Sequence, residues 1–187
     1  MMVSTETTAK KVVAALAGRR IDAVGTRIRR FSINRIDQVR ADLKSLFEQE
    51  AVELLVCSAA CGADLIALDL AKKAGIRYRI VLPFSIERFR QSSVVDRPGD
   101  WGPLFDQLVK DIPPSELIVL PDLANDDEAY DHANKEIVRQ AAMTAEPGTG
   151  LAIAVWEGQP RLGNDATASF LQLAKDAGLK ERIVRTW

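Results

Sequence analysis

One histidine, His132, and two cysteines, Cys57 and Cys61, are all that this chain of 187 residues offers as soft metal ligands. The thiols stand at i and i+4 with no histidine near them, a poor spacing for zinc, so no metal site is expected. They read instead as buried free thiols in a reducing compartment. No apolar run approaches the ~20 residues needed to span a bilayer. The stretch from Met1 to Lys11 is polar and lacks the apolar core of a signal peptide. A cytoplasmic protein with no membrane partner is therefore expected. An excess of charge is missing as well: 25 basic residues against 26 acidic ones leave a net charge of −1. Nothing in that balance favours wrapping of nucleic acid. The three tryptophans and six phenylalanines are too scattered for a base-stacking platform, so no nucleic-acid partner is expected. The one basic run, Arg27-Ile28-Arg29-Arg30, reads as a solvated loop. Missing too are a Ser/His/Asp set, an HExxH pair, a GxGxxG fingerprint and a GxxxxGK[ST] loop.

What is present is an alternation. Hydrophobic residues make up 47% and charged residues 27%, the mix of a globular protein. Lys11 to Ala17 is an apolar run ending at Gly18, the pattern of a strand buried on both faces. Arg35 to Glu50 carries apolar residues at helical spacing, with Asn34 as the expected N-cap. Glu53 to Ser58 is a strand; Asp64 to Ala74 is a helix stopped by a glycine cap at Gly75. Tyr78 to Leu82 is a strand closed by Pro83. Two short helices follow, Ile86 to Gln91 and Trp101 to Lys110, broken at Pro98-Gly99-Asp100. Glu116 to Leu120 is a strand, Asp127 to Ala145 a helix, Gly150 to Trp156 a strand, Asp165 to Ala177 a helix and Arg182 to Arg185 a last strand. Strands alternating with helices of this length predict a Rossmann-like three-layer α/β/α fold with a mostly parallel sheet of about six strands. No repeat or linker divides the chain. Residues 11–187 read as one domain, preceded by a disordered segment over residues 1–10.

Ligands of open parallel sheets bind at the carboxyl ends of the strands. That rule selects Gly18-Arg19-Arg20, then Ser58 to Asp64, then Pro83-Phe84, Pro121-Asp122, Trp156-Glu157-Gly158, and Gly163 to Thr167. The small residues of Ser58-Ala59-Ala60-Cys61-Gly62-Ala63 let a backbone approach a ligand closely, and amides at a helix start favour phosphate. Asp64, in the first turn of that helix, would accept hydrogen bonds from ribose hydroxyls. The alternative is that Asp64 only complements the helix dipole while the small residues permit tight packing. Asn164, Ala166 and Thr167 offer a second phosphate seat, with Asp165 or Asn164 as the competing N-cap. Arg19 at a strand end can reach a phosphate or carboxylate. Trp156 would stack a base or sit in the core, and Glu157 would bind a sugar or act as a base. His132, on a helix beside acidic residues, reads as structural.

These loops, in this order, resemble the SLOG superfamily, named for the SMF DNA-processing proteins (DNA-processing protein A) and the LOG lysine-decarboxylase-like phosphoribohydrolases. The residues carrying the likeness are Ala17-Gly18-Arg19-Arg20-Ile21-Asp22, similar to a family GHRID, then Ala60-Cys61-Gly62-Ala63-Asp64. Leu82-Pro83-Phe84 follows with Phe89, Ser92-Ser93-Val94 and Trp101. Last come Tyr130 with Ala133-Asn134, and Gly163 to Thr167. The likeness covers about Val12 to Val184. It implies a Rossmann-like fold and a nucleotide or phosphoribosyl ligand held by the small-residue turns. It also implies a sensing role in bacterial signalling or stress response. Two departures bear on chemistry. Arg19 replaces the family-like histidine, and Gly163-Asn164-Asp165-Ala166-Thr167 lacks the glycines of the phosphoribohydrolase motif PGGxGTxxE, with Phe170 and Leu171 where an acid is wanted.

The first expectation is therefore a nucleotide-sensing module whose site includes Gly18, Arg19, Cys61, Gly62, Ala63 and Asp64. The second is an enzyme cleaving an N-glycosidic bond, like a phosphoribohydrolase or a nucleoside deoxyribosyltransferase, with Glu157 or Asp64 as the working carboxyl. The third is a structural or partner-binding domain without a ligand. The sequence leaves homo-oligomerisation open.

Overall fold

The computed structural model describes residues 11–123 and 125–187. The expected disorder of residues 1–10 lies outside the described residues. Six strands form one sheet: β1 (Val12–Gly18), β2 (Val52–Cys57), β3 (Arg77–Leu82), β4 (Leu117–Val119), β5 (Gly150–Trp156) and β6 (Lys180–Arg185). Every pairing is parallel and the order is β4-β3-β2-β1-β5-β6. The helices are α1 (Ile36–Gln49), α2 (Ala63–Ala74), α3 (Ile86–Phe89), α4 (Gly102–Asp111), α5 (Asp126–Thr144) and α6 (Ala166–Asp176). This is the expected Rossmann-like three-layer α/β/α arrangement. Among the described residues no helix is long and apolar enough to cross a membrane.

Successive strand residues point to opposite faces, and both faces are buried. Leu16, Leu55, Cys57, Ile80, Leu82 and Val155 meet α1, α2 and α4 through Val39, Leu43, Leu65, Ile66 and Phe105. Val13, Ala15, Leu54, Val56, Val81 and Ala152 meet α5 and α6 through Ile137, Ala141, Phe170 and Ala174. All seven residues of β5 are buried, which explains its unbroken apolar run. α2 is buried continuously from Ala63 to Ala71, so it is apolar nearly all round and ends in a left-handed Gly75.

From β1 the chain adds β2, β3 and β4 outward in one direction. Then α5 carries it back across the sheet to β5, on the other side of β1. The direction of winding thus reverses between β1 and β5, where such sheets open a crevice at the carboxyl ends. Three local expectations are corrected. Asn34 does not cap α1: it lies in a 3-10 turn, Ile33–Arg35, and Arg35 is the N-cap residue. The helix expected over Ile86 to Gln91 instead shortens to α3 and widens into a π-helical stretch, Arg90–Val94. Trp101 precedes α4, with its indole N–H donating to Pro98 O at 2.8 Å.

Candidate functional site

A cavity of about 340 Å3 opens where β1 and β5 end. Gly18 stands beside Val155 in the ladder there. The end of β1 supplies Ala17 and Gly18, and the β2–α2 turn supplies Ser58, Ala60 and Asp64. α5, arriving over the switch point, supplies Tyr130, Ala133 and Asn134. The start of α6 supplies Asn164, Ala166 and Thr167, and Arg19, Arg20 and Arg161 complete the wall. Asn134 also fastens the two helices, since its Nδ2 donates to Ala166 O at 2.8 Å. Tyr130 is held by a 2.7 Å hydrogen bond with Ser93 Oγ and by edge contact with Phe84.

Arg19 is buried, and its guanidinium is paired with two carboxylates. Nε and Nη2 reach Glu157 at 2.7 and 3.0 Å; Nη1 and Nη2 reach Asp165 at 2.8 and 2.9 Å; Nη2 also donates to Gln159 O at 3.0 Å. The group lies 5.4 Å from the Trp156 ring centroid. This arginine ties the end of β1 to the β5–α6 loop, and four of its five N–H groups go to these partners. Arg30 pairs with Glu157 from the other side. Burial would raise the Asp165 carboxyl, but hydrogen bonds from Arg19 and from the amides of Arg161 and Ala168 hold it at about 2. Burial likewise opposes ionisation of Glu157, and bonds from Arg19, its own amide and Arg30 keep it below the usual carboxylate range.

The β2–α2 turn is as tight as its small residues imply, but its amides are mostly spent. Cys61 N donates to Ser93 O at 2.9 Å, Ala63 N to Arg19 O at 3.1 Å and Ala60 N to Asp64 Oδ2 at 3.2 Å. Gly62 sits at φ 96 with Arg19 O only 2.8 Å from where a Cβ would be. At α6, Asp165 accepts from Thr167 N and Ala168 N at 3.0 and 3.2 Å, so it is the N-cap and fills the expected phosphate seat. What the turn does present to the cavity is the Asp64 side chain. Burial pushes its carboxyl up to about 7, against smaller downward pulls from the Ala60 amide and Arg20. Such a group carries a proton for part of its time at neutral pH, which suits it to donate or accept one.

Of the expected site residues, Gly18, Arg19, Ser58, Asp64, Asn164, Ala166 and Thr167 come together around this cavity. Cys61, Gly62 and Ala63 are buried beneath it and support the turn; burial lifts the Cys61 thiol to about 11. Pro83 and Trp156 are also buried away from the lining, and the Arg19 guanidinium lies over one face of the indole. Glu157 is committed to Arg19 and Arg30. His132 is exposed on α5, outside the cavity. Sequence reasoning passed over Arg161, although it lies in a loop that the strand-end rule selects. Arg161 lines the cavity, and no acidic group lies within 4 Å of its guanidinium among the described residues. No protein-family model matches the chain, and no curated protein matches it in sequence.

Proposed function

We propose that this protein binds a nucleotide or phosphoribosyl ligand in the cavity between the ends of β1 and β5. The observation carrying this reading is the cavity at the switch point, which is lined by both an ionisable carboxyl, Asp64, and an uncommitted guanidinium, Arg161. A guanidinium with free N–H groups suits a phosphate, and a carboxyl suits ribose hydroxyls. Ser58, Asn134 and Thr167 add short polar groups that fix orientation among apolar walls. The likeness of the loops to SLOG proteins supports the same ligand class, and a sensing role in bacterial signalling or stress response. A thermal-shift panel of nucleoside monophosphates, cyclic nucleotides, NAD, ADP-ribose and ribose 5-phosphate tests it. At least one member raises the melting temperature of the wild type, and Arg161→Gln removes that rise. A flat response across the panel rejects the reading.

Asp64 favours a second reading, an enzyme that cleaves an N-glycosidic bond. A buried carboxyl that titrates near 7 can protonate the departing base as the N–C bond breaks and water attacks the sugar. Glu157, tied to two arginines, is not the group for this work. Free base released from a nucleoside monophosphate by the wild type but not by Asp64→Asn would establish turnover; no release from any monophosphate would leave binding alone.

A further inference from the structure

A second space of about 260 Å3, the arginine groove, adjoins the main cavity. Four arginines line it, Arg20, Arg30, Arg97 and Arg161, with Asp22 as the single acid in the wall. Arg20 and Arg161 line the main cavity as well, so the two spaces share a wall.

The carboxylates near these guanidiniums are too few to neutralise them. Asp96 serves both Arg20, at 3.0 Å, and Arg97, at 3.2 Å. Glu157 serves Arg30 while also carrying Arg19. The Asp22 carboxylate is taken by backbone amides, those of Arg30 at 3.1 Å and Phe31 at 3.2 Å. Donors remain unclaimed in turn: Arg97 bonds Asp96 only through Nε, and Arg161 makes no side-chain hydrogen bond among the described residues. Desolvation first, and then the positive charge of Arg19, draw the Arg161 pKa down, with Asp165 opposing. Planar guanidiniums with spare N–H groups match the oxygens of phosphate.

We propose that the arginine groove takes a second phosphate of the ligand in the main cavity, so that the ligand class is a nucleoside diphosphate or a diphosphate-linked nucleotide. This rests on the nucleotide reading above. Base and sugar occupy the larger space, the first phosphate meets Arg161 at the shared wall, and the second lies among Arg20, Arg97 and Arg30.

Calorimetric titration of AMP, ADP and inorganic pyrophosphate into the wild type and Arg97→Gln tests the proposal. Arg97 suits the purpose because it lines the groove alone and pairs only with its neighbour Asp96. The wild type should bind ADP about tenfold tighter than AMP, as one or two added charge-assisted hydrogen bonds would give. Arg97→Gln should remove most of that advantage, weaken pyrophosphate and leave AMP unchanged. Equal affinity for AMP and ADP in the wild type overturns the proposal, as does an Arg97→Gln variant that loses AMP and ADP equally. Pyrophosphate binding that depends on Arg97, with neither nucleotide bound, overturns the nucleotide reading while leaving the groove as a diphosphate site. Failure of all three probes overturns both.

Discussion

Arg19 and Asp165 face each other through two parallel hydrogen bonds, Nη1 to Oδ1 at 2.8 Å and Nη2 to Oδ2 at 2.9 Å, across 146 residues of sequence. Both side chains are only 3% exposed. The pair closes the sheet end at the winding reversal, and Arg19 lines the cavity there.

Removing the guanidinium leaves two buried carboxylates, Asp165 and Glu157, without their main partner. Arg19→Met should therefore cost about 3 to 5 kcal/mol of stability, read by urea unfolding. Arg19→Lys, which keeps the charge but not the fork, should fall between. The pair also sets an acid limit. Asp165 falls from 3.8 unfolded to about 2 folded, so its contribution is complete above pH 3.8 and is lost as pH drops towards 2. That acid limb should shrink in Arg19→Met. A loss under about 1 kcal/mol would remove Arg19 as the tie between β1 and the β5–α6 loop.

Asp64 works in the opposite sense. Its folded pKa of about 7 lies above the unfolded 3.8, so the folded chain retains a proton that the unfolded chain has released. Stability should fall as pH rises from about 4 through 7. Asp64→Asn should flatten that slope, matching the wild type near pH 4 and exceeding it at pH 8. Linkage at about 1.4 kcal/mol per pKa unit caps the gain at about 4 kcal/mol. Denaturant titrations at the two pH values read it; a variant less stable than the wild type at pH 8 would contradict it.

Close approach of the first two loops depends on Gly62. At φ 96 a side chain is strained, and its Cβ would stand 2.8 Å from Arg19 O and 2.9 Å from Ile21 N. Gly62→Ala should cost about 1 to 3 kcal/mol and lower the thermal midpoint accordingly. A midpoint within a degree of the wild type would mean that the turn relaxes freely.

Strands β1 to β5 were legible as apolar runs closed by glycine, proline or a polar turn; β6 begins with the charged Lys180 and Glu181, so only its Arg182 to Arg185 end shows in the pattern. β5 was read with its observed limits, being buried throughout. The order of strands was not legible, since no local pattern records which strand lies beside which. The start of α1 was displaced because a 3-10 turn took Asn34. At the site, Ser58, Asp64 and Thr167 could be found by the strand-end rule alone. The roles of Arg19 and Glu157 could not: 138 residues separate them, and only folding shows that each satisfies the other. Asp165 posed the one local conflict, between capping α6 and leaving its amides to a phosphate. The cap prevailed because the same carboxylate also answers a buried arginine.

The claim that a nucleotide occupies the β1/β5 cavity is tested most directly by closing that cavity. Ala166 is exposed at its mouth, on the first residue of α6, so a large side chain there disturbs little of the core. Calorimetric titration of the nucleotide that most stabilises the wild type, repeated on Ala166→Trp, should show binding abolished with the ligand-free melting temperature unchanged. Undiminished affinity in the blocked variant would place the ligand elsewhere and contradict the account.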